Sequence, residues 1–243
     1  MRIARVAAWL VAAYAACTAV IYYNQNRLLY PARVGAATPA EAGLAGYEAR
    51  TLPPHTPKGL PIRYWEHESE APPLLYFHGN GGGLFYHKAE LAYLAQHFHV
   101  YALEYPGYPR GAAGTPSEVA IAADAATLYD AVIASHPGEK PLMWGFSLGS
   151  GIAVELAATH PPRALLLEAP FTATVDRAQE LLPFIPVSLL MRDQYRSRER
   201  IAQIHAPLMI IHGTADAIIP IRHGRRLLAL ANAPKVMQEY EGA

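Results

Sequence analysis

Five residues, Gly145-Phe146-Ser147-Leu148-Gly149, constrain this chain more tightly than any others. They follow a short apolar run, 142–146, that reads as a strand, and open a longer segment, 148–160, that reads as a helix. Passing from strand to helix in so few residues demands a sharp turn that strains the serine backbone and needs small neighbours where the chains pass. Gly145 and Gly149 are those neighbours. Such a turn exposes the Ser147 Oγ and puts the Leu148 N–H at a helix N-terminus, where an oxyanion is stabilised. The bland alternative is an ordinary turn; the strand–turn–helix context favours a nucleophile.

The rest of the chain repeats the same alternation. Strands are expected at 62–66, 74–77, 100–105, 142–146, 164–168, 208–211 and 236–240, and helices near 86–97, 116–134, 148–160 and 223–231. The helix at 116–134 carries a start signal, with Thr115 as N-cap, Pro116 at the first position and Glu118 closing a capping box. The fold class is therefore α/β, a mostly parallel sheet with helices on both faces. About forty residues separate the strand ending at Glu168 from the one starting at Leu208, more than a plain crossover needs, so a small cap is expected at about 171–206.

Composition narrows the function. Hydrophobic residues make up 52% and charged ones 16%, which excludes disorder and supplies a large core. Lys+Arg 20 balance Asp+Glu 20, so there is no basic field and no nucleic-acid partner is expected. No Cys/His cluster has zinc-ligand spacing, and no metal is expected.

Residues 6–23 are uncharged and mostly apolar; as a helix they span roughly 27 Å, close to a bilayer core of about 30 Å. Tyr22 and Tyr23 lie where a membrane interface falls. We therefore expect an N-terminal membrane anchor (1–30), a linker (31–48) and one catalytic domain (49–243). A cleaved signal is the rival, since Ala13, Tyr14 and Ala15 give a small-x-small site, and a buried soluble helix is a third reading. Cys17 is expected to be a packed thiol. Arg2, Arg5 and the terminal amine on one side, against Arg27 and Arg33 on the other, lean towards an inside N-terminus and an extracytoplasmic domain.

Two further groups complete a site. His78-Gly79-Asn80 follows the strand at 74–77, and Gly81–Gly83 keep the loop free of side chains, so the Asn80 N–H is expected as the second oxyanion donor. No lysine follows at the spacing of a phosphate-binding loop. His78 is expected to prop this loop rather than act as a base. Asp216 lies just past the strand at 208–211, where it can orient a histidine; Glu168 is the rival acid, and the chain order serine, acid, histidine favours Asp216.

With His78-Gly79-Asn80-Gly81, Glu104 to Tyr108, Gly114 to Glu118, Gly145 to Gly149, Glu168 to Thr172 and His212 to Asp216 in order, the chain resembles the α/β hydrolases. Within them it is similar to a serine-aminopeptidase-like group of membrane-anchored hydrolases that includes depalmitoylating thioesterases; the segment Arg27 to Pro31 adds to the likeness. The resemblance implies a metal-free, cofactor-free serine esterase or thioesterase acting on a small-molecule or lipid-like acyl substrate at a bilayer. It also implies a catalytic histidine on the loop after the last strand. His223 is the only histidine after Asp216, at the start of an expected helix, so the expectation is that the 243-residue chain is inactive or C-terminally incomplete. A noncatalytic membrane-tethered relative and a serine peptidase are the competing functions. Within the cap, apolar residues from Leu181 to Met191 are followed by Arg192, Arg196, Arg198 and Arg200; this is either a cap core beside a solvated face or an acyl-chain wall with a basic rim.

Overall fold

The computed structural model describes residues 2–55 and 59–242. α1 (Arg2–Leu29) contains neither Gly nor Pro and ends just before Pro31, which cannot continue a helix. α2 (Pro39–Ala42) is one turn, capped by Thr38 at its start and by Gly43 in the left-handed region at its end. Three strands follow, β1 (Tyr47–Leu52), β2 (Ile62–His67) and β3 (Pro73–Phe77). Next come a 3₁₀ turn (Leu84–His87), α3 (Lys88–Leu94), β4 (His99–Glu104) and α4 (Glu118–Ser135). The centre of the fold is β5 (Leu142–Phe146), α5 (Leu148–Thr159) and β6 (Ala164–Glu168). The cap carries α6 (Thr174–Leu181), α7 (Val187–Leu190) and α8 (Ser197–Arg200), and the chain closes through β7 (Leu208–Gly213), α9 (Arg222–Leu230) and β8 (Lys235–Tyr240).

The sheet order is β1-β2-β4-β3-β5-β6-β7-β8. β2 runs antiparallel to both its neighbours, β1 and β4, at one edge and the other pairings are parallel, so the expected α/β architecture holds. Register places the site: Phe77 stands opposite Gly145, Phe146 opposite Glu168, and Glu168 opposite Ile211. The loops after β3, β5, β6 and β7 therefore emerge side by side at one end of the sheet. β3 is buried on both faces; Leu75 and Phe77 enter one core with Ile121, Leu128 and Ile152, while Leu74 and Tyr76 enter the other with Leu84, Leu91 and Leu94. Ala173, Val175 and Val187 form a separate small core in the cap.

Several expectations are corrected. β1 lies partly in the segment read as a linker; its sequence, YEARTL, is mostly exposed and lacks the alternation that marks a half-buried strand. α4 begins at Glu118 with Ser117, not Thr115, as N-cap, and Ser117 Oγ accepts the Ala120 N–H at 3.2 Å. Glu118 closes no capping box, because its carboxylate accepts the N–H groups of Gln194 (2.6 Å) and Tyr195 (3.0 Å) in the cap. Cys17 is exposed on α1 rather than packed. β8 is exposed along most of its length.

Candidate active site

Ser147 sits between β5 and α5 with φ 51° and ψ −115°, a conformation a side-chain-bearing residue holds only when its surroundings over-determine it. They do so here. The Ser147 N–H donates to the Glu168 carbonyl at 2.9 Å, and the Ser147 carbonyl accepts both the N–H (2.9 Å) and the hydroxyl (2.6 Å) of Ser150. A Cβ on Gly145 would collide with the Gly149 carbonyl, and one on Gly149 with the Phe77 carbonyl. Both glycines are thus required by close backbone approach, which is the steric reading of the motif.

The loop after β3 is held from below. Tyr105 Oη donates to the His78 carbonyl (2.7 Å), and Tyr108 Oη to the Asn80 carbonyl (2.8 Å). His78 is fully buried, stacks on Tyr105 with ring centroids 3.8 Å apart, and has Nδ1 2.7 Å from the Gly79 carbonyl, as expected of a prop. Its Nε2 lies 3.5 Å from Glu104 Oε1, a buried carboxylate unforeseen in the sequence reading. Beside this pair, burial and the neighbouring His78 push the His87 imidazole down from its usual 6.5 to about 3. Gly82 and Gly83 both take positive φ, which lets the loop fold back over Glu104. Asn80 itself anchors outward: its side-chain amide donates to the Leu29 carbonyl of α1 at 3.2 Å.

Asp216 follows β7, and its Oδ1 accepts the N–H groups of Ile218 (2.8 Å) and Ile219 (2.9 Å). Glu168, the rival acid, is engaged by the Trp144 indole N–H at 3.2 Å, and burial raises its pKa. Neither His212 nor His223 is hydrogen-bonded to Ser147, although His212 Nε2 lies 3.7 Å from Asp216 Oδ2. His212 has Nε2 2.7 Å from the Ile219 carbonyl. His223 is buried between Thr172 Oγ1 (2.9 Å from Nδ1) and Glu180 Oε2 (3.3 Å from Nε2), and burial lowers its pKa. Among the described residues no histidine is hydrogen-bonded to the Ser147 hydroxyl.

Ser147, Leu148 and Asn80 share the lining of a cavity of about 630 Å³. Its remaining walls are mainly apolar, with Phe171, Leu181, Leu182, Ile185 and Leu190 from the cap side, Ile218 and Ile219 beyond Asp216, and Ile21, Leu28 and Leu29 from α1; Thr18, Gln25, Thr174 and Arg177 are the polar groups among them. That α1 forms a wall was not foreseen. The available signal was the polar pair Gln25-Asn26 interrupting the apolar helix. Gln25 donates to the Leu190 carbonyl (3.4 Å) and accepts the Arg192 N–H (2.8 Å), and Asn26 donates to the Pro116 carbonyl (2.6 Å). Tyr30 Oη then meets Asp193 and Tyr195, both at 2.9 Å, where burial raises its pKa. The basic rim is corrected in part. Arg196 and Arg198 pair with Glu199 and Asp176 within the cap, Arg200 ties the cap to Glu155 of α5, and Arg192 stacks on Tyr22 of α1.

Comparison with known proteins agrees with this architecture. Residues 72–170 match the family described as alpha/beta hydrolase fold. An uncharacterized protein of Mycobacterium tuberculosis (strain H37Rv) is 35% identical over 224 residues, covering 88% of this chain and 78% of that one. The lysophosphatidylserine lipase ABHD12 of Danio rerio is 32% identical over 199 residues, covering 72% of this chain and 51% of its own, so this chain spans about half the length of that lipase. The crystal structure of a membrane phospholipase A, described as a bacterial virulence factor, superposes with a TM-score of 0.59 at 20% identity over 99% of this chain and 91% of that one, a likeness of fold. By sequence and by architecture this chain belongs to the α/β hydrolase family.

Proposed function

We propose that this protein is a membrane-anchored serine hydrolase that cleaves carboxylic ester or thioester bonds of lipid-like acyl substrates through an acyl-enzyme on Ser147. The observation that carries the reading is the strained Ser147 at the floor of the 630 Å³ apolar cavity, with Asn80 and Leu148 beside it. In this reading Ser147 Oγ attacks the acyl carbon, and the N–H groups of Asn80 and Leu148 receive the oxyanion. The alcohol or thiol leaves with a proton, and water releases the acid. Asp216, steadied by two amides, is the acid that orients the general base. The lipase named among the relatives supports a lipid ester. The anchor is supported by α1, which contains an 18-residue window of mean hydropathy 1.7, none of it buried in the protein; Arg2, Arg5 and the terminal amine together favour an inside N-terminus over Arg27 and Arg33.

Since no described histidine is hydrogen-bonded to Ser147, the 243-residue chain is proposed to turn over slowly; in subtilisin, losing the catalytic histidine costs about 10⁶ in kcat. The test supplies the base from solution. Hydrolysis of a medium-chain p-nitrophenyl ester by the wild-type protein should rise with added imidazole well above that seen with Ser147→Ala under the same conditions. Equal rates in the two proteins, with and without imidazole, would refute Ser147 as nucleophile. A noncatalytic lipid-binding role is the second reading, favoured by the same uncommitted hydroxyl, and it predicts binding of lysophospholipid without turnover.

A further inference from the structure

The geometry points to insertion of the cap turn between α6 and α7 into the lipid leaflet beside α1, with the acyl cavity opening onto the bilayer rather than onto water. This rests on the reading of α1 as an anchor and of the cavity over Ser147 as an acyl site, and goes beyond both by giving the cap a membrane surface of its own.

The first observation is a contact. Tyr14 Oη donates to the Phe184 carbonyl at 2.8 Å. Tyr14 lies inside the apolar run of α1, eight residues before Tyr22, or about 12 Å further along the axis than the interfacial tyrosines. A bilayer that surrounds α1 at Tyr14 therefore also surrounds Phe184.

The second observation is the backbone of the turn itself. In hydrocarbon every peptide group must find an internal partner, since water is not there to provide one. The two N–H groups of the Gln179 side-chain amide are shared among the carbonyls of Leu182 (3.2 Å), Pro183 (3.4 Å) and Ile185 (3.1 Å), while the Tyr14 hydroxyl donates to that of Phe184. Four successive carbonyls of an exposed loop are thus satisfied from within the protein. On the donor side Pro183 and Pro186 have no N–H, and the N–H groups of Ile185 and Val187 donate within the turn, to Leu182 (3.0 Å) and Ile185 (2.8 Å). The Phe184 N–H is the exception between 182 and 187, with no internal acceptor among the described residues.

The third observation is what the turn displays. Phe184 is 86% exposed, Leu189 83% and Leu181 63%, and the Tyr14 contact joins this surface to the apolar run of α1. An apolar surface continuous with a membrane helix is a membrane surface by the same transfer energetics. Ile185 and Leu190 of this segment, with Ile21 and Leu28 of α1, also line the cavity. An acyl chain moving from leaflet to Ser147 between these two elements stays among apolar groups.

The test reads depth rather than hydrolysis, so it is independent of the role of Ser147. In the full chain carrying Cys17→Ser, which removes the one native cysteine, a single cysteine is placed by Phe184→Cys or, as control, by Lys140→Cys at the opposite end of the strands. Each is labelled with an environment-sensitive nitrobenzoxadiazole dye in phosphatidylcholine/phosphatidylglycerol nanodiscs. A label buried some 5–10 Å into the leaflet should emit to the blue and be quenched by spin-labelled lipid about threefold more than the Lys140→Cys label, with the reverse order for aqueous iodide. Iodide quenching of both labels alike would overturn the proposal. So would a blue-shifted Phe184→Cys label insensitive to spin-labelled lipid, which would mean that a second protein surface covers the turn.

Discussion

The floor and the roof of the cavity are built on different principles. The floor, formed by the turn at Ser147 and the loop after β3, packs backbone on backbone at Gly145 and Gly149, where there is no room for a methyl group, and rests on rings beneath. The roof, formed by α1 and the cap, is held by side-chain groups reaching main-chain carbonyls across apolar surface. Under the proposed reaction the difference suits them to different tasks. A site that stabilises an oxyanion requires donors fixed within a fraction of an ångström, whereas a wall that receives an acyl chain requires shape and lipophilicity but tolerates movement.

The contrast breaks first at Gly149. Gly149→Ala drives a Cβ into the Phe77 carbonyl, where no flexible side chain can yield. The expected loss is on the order of 4 kcal/mol, or a fall in Tm of about 10 °C, visible in a thermal scan. A variant as stable as wild type would mean that the floor is not rigid.

Acid separates the two regions less sharply. His87 lies under the floor with its pKa at about 3 when folded and near 6.5 when unfolded, so below pH 6.5 the unfolded chain binds the extra proton. Its contribution is complete above pH 6.5 and is lost as pH falls towards 3, at up to about 1.4 kcal/mol per pH unit within that window. Denaturant titrations at a series of pH values should show this slope in wild type and a shallower one in His87→Gln, which does not titrate. Identical slopes would remove His87 from the account.

The smallest effect belongs to the roof. Glu118→Ala leaves the Gln194 and Tyr195 N–H groups without their acceptor, at roughly 1–3 kcal/mol, confined to the cap. Hydrogen exchange should quicken at residues 194–195 while β3 and β5 keep their protection. Uniform acceleration through the sheet would show that cap and floor open as one unit.

Much of the floor was legible in the sequence because it follows from local sterics. Gly145 and Gly149 flank a serine between a strand and a helix, and that pattern has few ways to fold; the same reasoning placed Asn80 and Leu148 beside Ser147 and Asp216 just past β7. The length and apolarity of α1 likewise marked it as a candidate span. What local pattern could not supply was the choice among competing hydrogen-bond partners. Glu118 is spaced to cap its own helix, yet binds the cap 76 residues away. Gln179 and Tyr14 divide the carbonyls of one turn between them, and Asn80 reaches the end of α1 across 51 residues. His223 stands in the order expected of a base, yet its ring is taken by Thr172 and Glu180. Each such bond nets only about 1 kcal/mol, so which partner wins depends on what the fold brings within reach. Sequence by itself determined the elements and the serine turn, since those are decided by excluded volume and hydrophobic period over a few residues. Only the tertiary structure made α1 a wall of the cavity, because that depends on contacts between segments far apart in the chain.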